Sequence, residues 1–274
     1  MIDKHKFSFK YENKLYNFYI DGQTMVGDNF CMLEKDLNLL ANTRFNDSGY
    51  SVQDFIDKQS IIEIRNGIST YINGLIDKSS GIIDLSKYHE YVDESAHQKI
   101  ASQLVGIPIK NFPISPNVLI NFMSKLLGFD LCLNPSHSSE LLPHFSLRIV
   151  RPNSDDNNPL HRDVWIDRLR NAINIFFPIT PPNKDSNLGI IPGSHMWKES
   201  EIERTVSGSS VNGKKYTVPA VVGAKYKLNF KRPIINDEQI LIFSPYLIHG
   251  AAINFTKETR VSLEMRFWKK EKNS

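Results

Sequence analysis

The stretch Arg260-Val261-Ser262-Leu263-Glu264-Met265-Arg266-Phe267-Trp268 alternates without a break. Val261, Leu263, Met265 and Phe267 fall on one face, and Arg260, Ser262, Glu264 and Arg266 on the other. This is the period of two that marks a β-strand. The apolar face must cover a core. The polar face is either solvated, as antiparallel sheets commonly allow, or turned into a wet cavity. Working back from this strand, short runs between turn-rich separators predict further strands over 129–134, 145–151, 160–165, 172–179, 189–192, 217–222, 239–243 and 247–253. Many short strands at this spacing predict a sandwich or jelly roll, not a parallel sheet with crossover helices.

Before residue 129 helical signals dominate, after an opening hairpin expected over 6–11 and 14–20. Ser51-Val-Gln-Asp54 has the form of a capping box. Phe55, Ile61, Ile64, Ile68, Ile72 and Leu75 then recur at helical spacing. Ser115, Pro116 and Gly128 bound a second helix. Shorter helices are expected over 30–42 and 93–104. The expected fold class is mainly β with N-terminal helices (α+β). One domain spans 1–274, with a helical buttress over about 1–128 and a jelly-roll core over about 129–268.

Composition excludes more than it identifies. The 274 residues are 41% apolar, and 14 Gly with 14 Pro rule out a collagen-like or low-complexity chain. The net charge of +3 is spread along the length, too weak a field to argue for nucleic acid or a membrane as partner. The expected partner is a small-molecule substrate; oligomeric state is not legible. Cys31 and Cys132 are too few and too far apart for a disulfide framework. The N-terminus has no apolar signal core. The uncharged stretch 239–256 holds Ser244, Pro245, His249 and Asn254 and reads as two buried strands rather than a membrane helix. A cytoplasmic location is the default expectation.

The chemistry starts from His161-Arg162-Asp163. A His-x-acid triplet arises by chance in a chain with eight histidines and 30 acids, so its setting decides. On a strand, residues i and i+2 point to one side, and imidazole and carboxylate converge on one ion. Two histidines and one carboxylate on one face of an octahedral ferrous ion leave three positions open. His249, in the otherwise apolar Leu247-Ile248-His249-Gly250-Ala251, is the candidate third ligand; the alternative is a core histidine satisfied by backbone groups. Arg260 with Ser262 could hold a terminal carboxylate through a guanidinium fork and a hydroxyl. No Gly-x-Ser-x-Gly elbow, phosphate loop, Cys-x-x-Cys pair or dinucleotide fingerprint occurs.

In this order, His161-x-Asp163, His249, then Arg260 and Ser262, the chain resembles the iron(II)/2-oxoglutarate-dependent dioxygenases, and more narrowly the phytanoyl-CoA dioxygenase-like family. Leu188-Gly189-Ile-Ile-Pro192-Gly193-Ser194-His195 resembles that family's Pro-Gly-Ser/Thr-His turn. Gln239-Ile-Leu-Ile-Phe-Ser-Pro-Tyr-Leu-Ile-His249-Gly-Ala-Ala-Ile-Asn254 resembles its strand bearing the distal histidine. The resemblance covers about residues 145–268. It implies a double-stranded β-helix of cupin type, with Fe(II) held by His161, Asp163 and His249 and the distal carboxylate of 2-oxoglutarate held by Arg260 and Ser262. It also implies an O2-dependent reaction that releases succinate and oxidises a C–H bond. Asp163 favours hydroxylation over halogenation, because related halogenases replace this carboxylate by a small residue. Two alternatives stand beside it: a non-catalytic jelly-roll binding module, and a cupin-type metalloenzyme that ignores 2-oxoglutarate.

Other residues carry open readings. Arg148 either reaches the cavity mouth or is solvated. Trp165, in period with His161 and Asp163, and Phe176 either wall the pocket or belong to the core. His195 either touches substrate or is confined to its turn. His137 and His144 read as surface residues. Loops 153–159 and 194–213 are expected to close over the pocket.

Overall fold

The computed structural model describes residues 4–12, 14–29, 47–76, 81–134, 142–154, 156, 158–166, 169–251 and 253–270. The helix expected over 30–42, Cys31 and His137 lie outside them. The first strands are β1 (Lys4–Tyr11), β2 (Lys14–Asp21), β3 (Thr24–Val26) and β4 (Tyr50–Asp54). Four helices follow, α1 (Lys58–Asn73), α2 (Tyr88–Tyr91), α3 (Glu94–Gln103) and α4 (Pro116–Leu127), with β5 (Ile107–Pro108) between the last two. Then come β6 (Leu131–Cys132), β7 (His144–Val150), β8 (Ala172–Pro178), β9 (Ile202–Thr205), β10 (Ser209–Val211), β11 (Lys214–Tyr216), β12 (Val221–Ala224), β13 (Gln239–Phe243) and β14 (Arg260–Lys269).

The largest sheet has seven antiparallel strands, ordered β4-β13-β8-β14-β7-β5, with β6 also pairing β14. β14 lies between β7 and β8, with Leu263 opposite both Leu147 and Phe177. Its alternation resolves as the sequence predicts. Val261, Leu263, Met265 and Phe267 are buried in one cluster with Ile61, Ile64, Ile68 and Ile72 of α1 and Leu119 and Met123 of α4. Burying each such side chain contributes roughly 1.5–3 kcal/mol. The helices therefore cover one face of the sheet and leave the other for a site.

Several local expectations are corrected. Ser51-Val-Gln-Asp54 is not a helix start but lies in β4, paired with β13 from Gln239↔Asp54 to Phe243↔Tyr50. The cap of α1 is instead Asp57, whose carboxylate accepts from the Ser60 N–H at 2.9 Å. α4 ends as expected at Gly128, whose φ of 80° suits a residue without Cβ. The part before residue 129 is not only helical: β1 and β2 join β10 and β11 in one sheet, and β3 joins β9 and β12 in another. Their second core stacks Phe9 on Phe230 with ring centres 4.4 Å apart. Among the described residues no helix is long and apolar enough to cross a membrane.

Candidate metal centre

The segment holding His161 is not a regular strand. His161 makes an isolated antiparallel bridge with His249, and Asp163–Trp165 turns as a short 3-10 helix. The described residues of 247–253 likewise form no strand; His249 bridges both His161 and Ile190. Convergence of His161 and Asp163 thus comes from a bridge followed by a tight turn, not from i and i+2 on a pleat. Ligand atoms of His161, Asp163 and His249 lie within 4.8 Å of one another, all three residues buried. His161 Nε2 stands 3.3 Å and His249 Nε2 3.7 Å from the same Asp163 oxygen, Oδ1.

The ring nitrogens are assigned by their partners. His161 Nδ1 is 2.7 Å from the Pro159 carbonyl and His249 Nδ1 2.9 Å from the Leu247 carbonyl. A carbonyl can only accept, so each Nδ1 carries the proton and each Nε2 presents its lone pair inward. Burial, reinforced by the nearby His161, pulls the His249 pKa down to about 4, which keeps the ring neutral at pH 7. Asp163 gives its other oxygen, Oδ2, to Asn174 Nδ2 and Arg266 Nη2, both at 2.9 Å. Burial opposes its ionisation, but Arg266 and the two histidines outweigh that and hold it well below the usual carboxylate range. The arrangement offers two imidazole lone pairs and one carboxylate oxygen to a divalent ion.

Arg162, between the two ligands in sequence, is 1% exposed. Its guanidinium donates to Glu199 and to the carbonyls of Ser194 and Trp197. Trp165 Nε1 donates to the other Glu199 oxygen at 3.0 Å, and Arg204 lies over the Trp165 ring. Trp165 is therefore not a wall of the pocket but part of the clamp that fixes the ligand turn. The Pro-Gly-Ser-His turn serves the same clamp: Ser194 Oγ accepts from the Ile248 N–H at 2.8 Å, beside His249. His195 is fully buried there, against Gly49, and does not line the cavity.

The cavity beside the centre has a volume of about 530 Å³. The polar face of β14 opens onto it through Arg260, Glu264 and Arg266, whereas Ser262 is not among the lining residues. Arg260 is 4% exposed, donates to the Ser186 carbonyl at 2.8 Å and lies over the Phe176 ring. Burial pulls its pKa down to about 9. Ser262 is fully buried, and its hydroxyl has no hydrogen-bond partner among the described residues. Arg148 reaches the cavity and contacts Glu264, Nε to Oε2, at 3.4 Å. His144, expected at the surface, also lines it. Of the expected lids, Asn158 lines the cavity, whereas 194–213 includes β9 and β10 and supplies none of its walls.

The helices brace this site through the 153–159 loop. Asp156 is buried, bound by Arg151 Nε at 2.8 Å and Nη2 at 2.9 Å, and lies 3.4 Å from His97 of α3. Glu264, Arg266 and Asn174 belong to the site although no sequence motif marks them. The first two share a face with Arg260, and the third is the lone polar residue in the apolar run Ala172-Ile-Asn-Ile-Phe-Phe177, and those were the available signals.

No family model matches the chain, and no curated protein matches it in sequence. Among solved structures it is similar to the apo form of ThoJ, a non-heme monooxygenase, at 13% identity over 82% of this chain and 76% of that one, with a TM-score of 0.49. EctD from S. alaskensis, solved with 2-oxoglutarate and 5-hydroxyectoine, is 13% identical over 90% of this chain and 84% of its own, TM-score 0.47. AviO1 from Streptomyces viridochromogenes Tue57 is 12% identical over 89% of this chain and 99% of its own, TM-score 0.46. At this level of similarity nothing functional is carried over from them.

Proposed function

We propose that the chain is an iron(II)/2-oxoglutarate-dependent oxygenase of the phytanoyl-CoA dioxygenase-like type, one catalytic domain built on a double-stranded β-helix. The observation that carries this reading is the trio His161, Asp163 and His249, with both Nδ1 atoms anchored to carbonyls and both Nε2 atoms facing one carboxylate oxygen. The donor set fits a ferrous ion, since two imidazoles and one carboxylate leave positions open for further ligands. The buried hydroxyl of Ser262 supports the cosubstrate. An unsatisfied buried polar group costs about 1–3 kcal/mol and calls for an explanation, and a carboxylate held with Arg260 supplies one.

In this reading a bound ferrous ion and 2-oxoglutarate supply O2-dependent oxidation of a substrate C–H bond, with succinate and carbon dioxide released. The protein's own residues orient and exclude. Asn174 and Arg266 hold Asp163 so that only Oδ1 faces the centre. Arg260, on its Phe176 shelf, presents a charged fork to the cosubstrate's distal carboxylate. Asp163 occupies the position a halide would need, which favours hydroxylation of a small molecule. Anaerobic addition of Fe(II) and 2-oxoglutarate should give a visible charge-transfer band. Absence of that band from protein that still binds the metal would favour a cupin-type enzyme indifferent to 2-oxoglutarate.

A further inference from the structure

The polar floor of the cavity holds two charges that satisfy each other only in part. Arg148 on β7 and Glu264 on β14 make a single contact, Nε to Oε2, at 3.4 Å. Side-chain exposures of 29% and 21% leave the rest of each group open to the cavity. No hydrogen bond involves the two terminal nitrogens of Arg148 or the second oxygen of Glu264 among the described residues. Arg–carboxylate pairs are frequently bidentate, with two parallel contacts at about 2.7–2.9 Å; this pair has one longer contact, and Arg266 and Arg260 also act on Glu264. The two stand on neighbouring strands, with Arg148 opposite Ser262 and Glu264 opposite Ser146, so both face one ligand-sized space. Apolar side chains, among them Leu142, Ile166, Leu169, Leu188 and Val218, line other parts of the same cavity.

From this pair we infer, on the basis of the oxygenase reading above, that the substrate is a zwitterion of the amino-acid class, its carboxylate on Arg148, its ammonium on Glu264 and its apolar body against the leucines and isoleucine. A neutral ligand filling this space would strip water from both charges and pair neither, a cost that binding has to overcome. A simple anion would pair with Arg148 and oppose Glu264. A simple cation would pair with Glu264 and meet Arg266 and Arg148. Only a ligand carrying both signs satisfies the pair, and the apolar walls set a preference for an aliphatic or aromatic side chain.

The test uses the full chain, anaerobic, loaded with Mn(II) and 2-oxoglutarate. Ligand-observed NMR is run on three pools: proteinogenic L-amino acids, carboxylic acids with the same side chains but no amine, and aldoses with their methyl glycosides. Binding is expected in the amino-acid pool alone. Arg148→Gln and Glu264→Gln should each weaken the best hit about 10- to 100-fold, with Mn(II) affinity retained. Absence of amino-acid hits, or hits among sugars or plain acids that Glu264→Gln leaves unchanged, would overturn the inference. So would an Arg148→Gln variant that loses 2-oxoglutarate affinity alone, since Arg148 would then belong to the cosubstrate. The wild-type pools decide the matter even if a variant does not fold. The charge-transfer band is read separately, so failure of the oxygenase reading is distinguishable from failure of this one.

Discussion

His161 and His249, far apart in sequence, exchange a pair of backbone hydrogen bonds, each N–H donating to the other's carbonyl at 3.0 Å. Their rings lie 4.4 Å apart as a result. Backbone pairing, not side-chain chance, thus sets the spacing of the two candidate metal donors.

Gly250 makes that approach possible. Its φ is +113°, and a Cβ there would run into the carbonyl of Pro159, which accepts from His161 Nδ1. Gly250→Ala should lower divalent-metal affinity about 10- to 100-fold, the usual cost of disturbing a group that orients a ligand. Calorimetry with Mn(II) measures it, and an unchanged affinity would refute the coupling.

Glu199 is the charge partner of Arg162 inside the ligand turn. Glu199→Ala leaves a buried guanidinium without its carboxylate, and loss of about 3–5 kcal/mol of stability is expected. Urea denaturation of metal-free protein reports this. A loss below 1 kcal/mol would mean that the clamp matters little.

The depressed pKa of His249 predicts a pH effect with a definite sign. Between pH 6.5 and about 4 the unfolded chain binds a proton on this imidazole and the folded chain does not. Stability of the metal-free protein therefore rises with pH through that window and is lost as pH falls, by roughly 3 kcal/mol in all. Denaturation midpoints at pH 7, 6 and 5 should show the slope, and His249→Gln should flatten it.

Much of this was legible in the sequence because it rests on periodicity. The alternation of Arg260 to Trp268 foretold both the core face and the polar face, and the isoleucines of α1 foretold a helix. The local geometry of the centre was not legible. His161 and His249 read as strand residues because their neighbours Leu160 and Ile248 are apolar, yet both sit in isolated bridges between loops. Ser51-Val-Gln-Asp54 satisfied a helix-cap pattern, but pairing with β13 overrode it. Trp165 and His195 lie close to ligand residues in sequence or motif, and only tertiary contacts reveal that both brace the scaffold.

Arg260 should matter to 2-oxoglutarate through its fork. Arg260→Lys keeps the charge but not the bidentate geometry, so the 2-oxoglutarate midpoint of the charge-transfer band should rise at least about tenfold. Ser262→Ala should raise it less. An unchanged midpoint in Arg260→Lys would move the cosubstrate elsewhere.

The central claim is that His161, Asp163 and His249 form one divalent-metal site. Anaerobic titration with Mn(II), followed by the loss of the free-ion EPR signal, tests it without reference to activity. One ion per chain is predicted for the wild type, with binding abolished in His161→Ala and in Asp163→Ala while both variants keep their fold. Binding of similar strength in either variant, or none in the wild type, would contradict it.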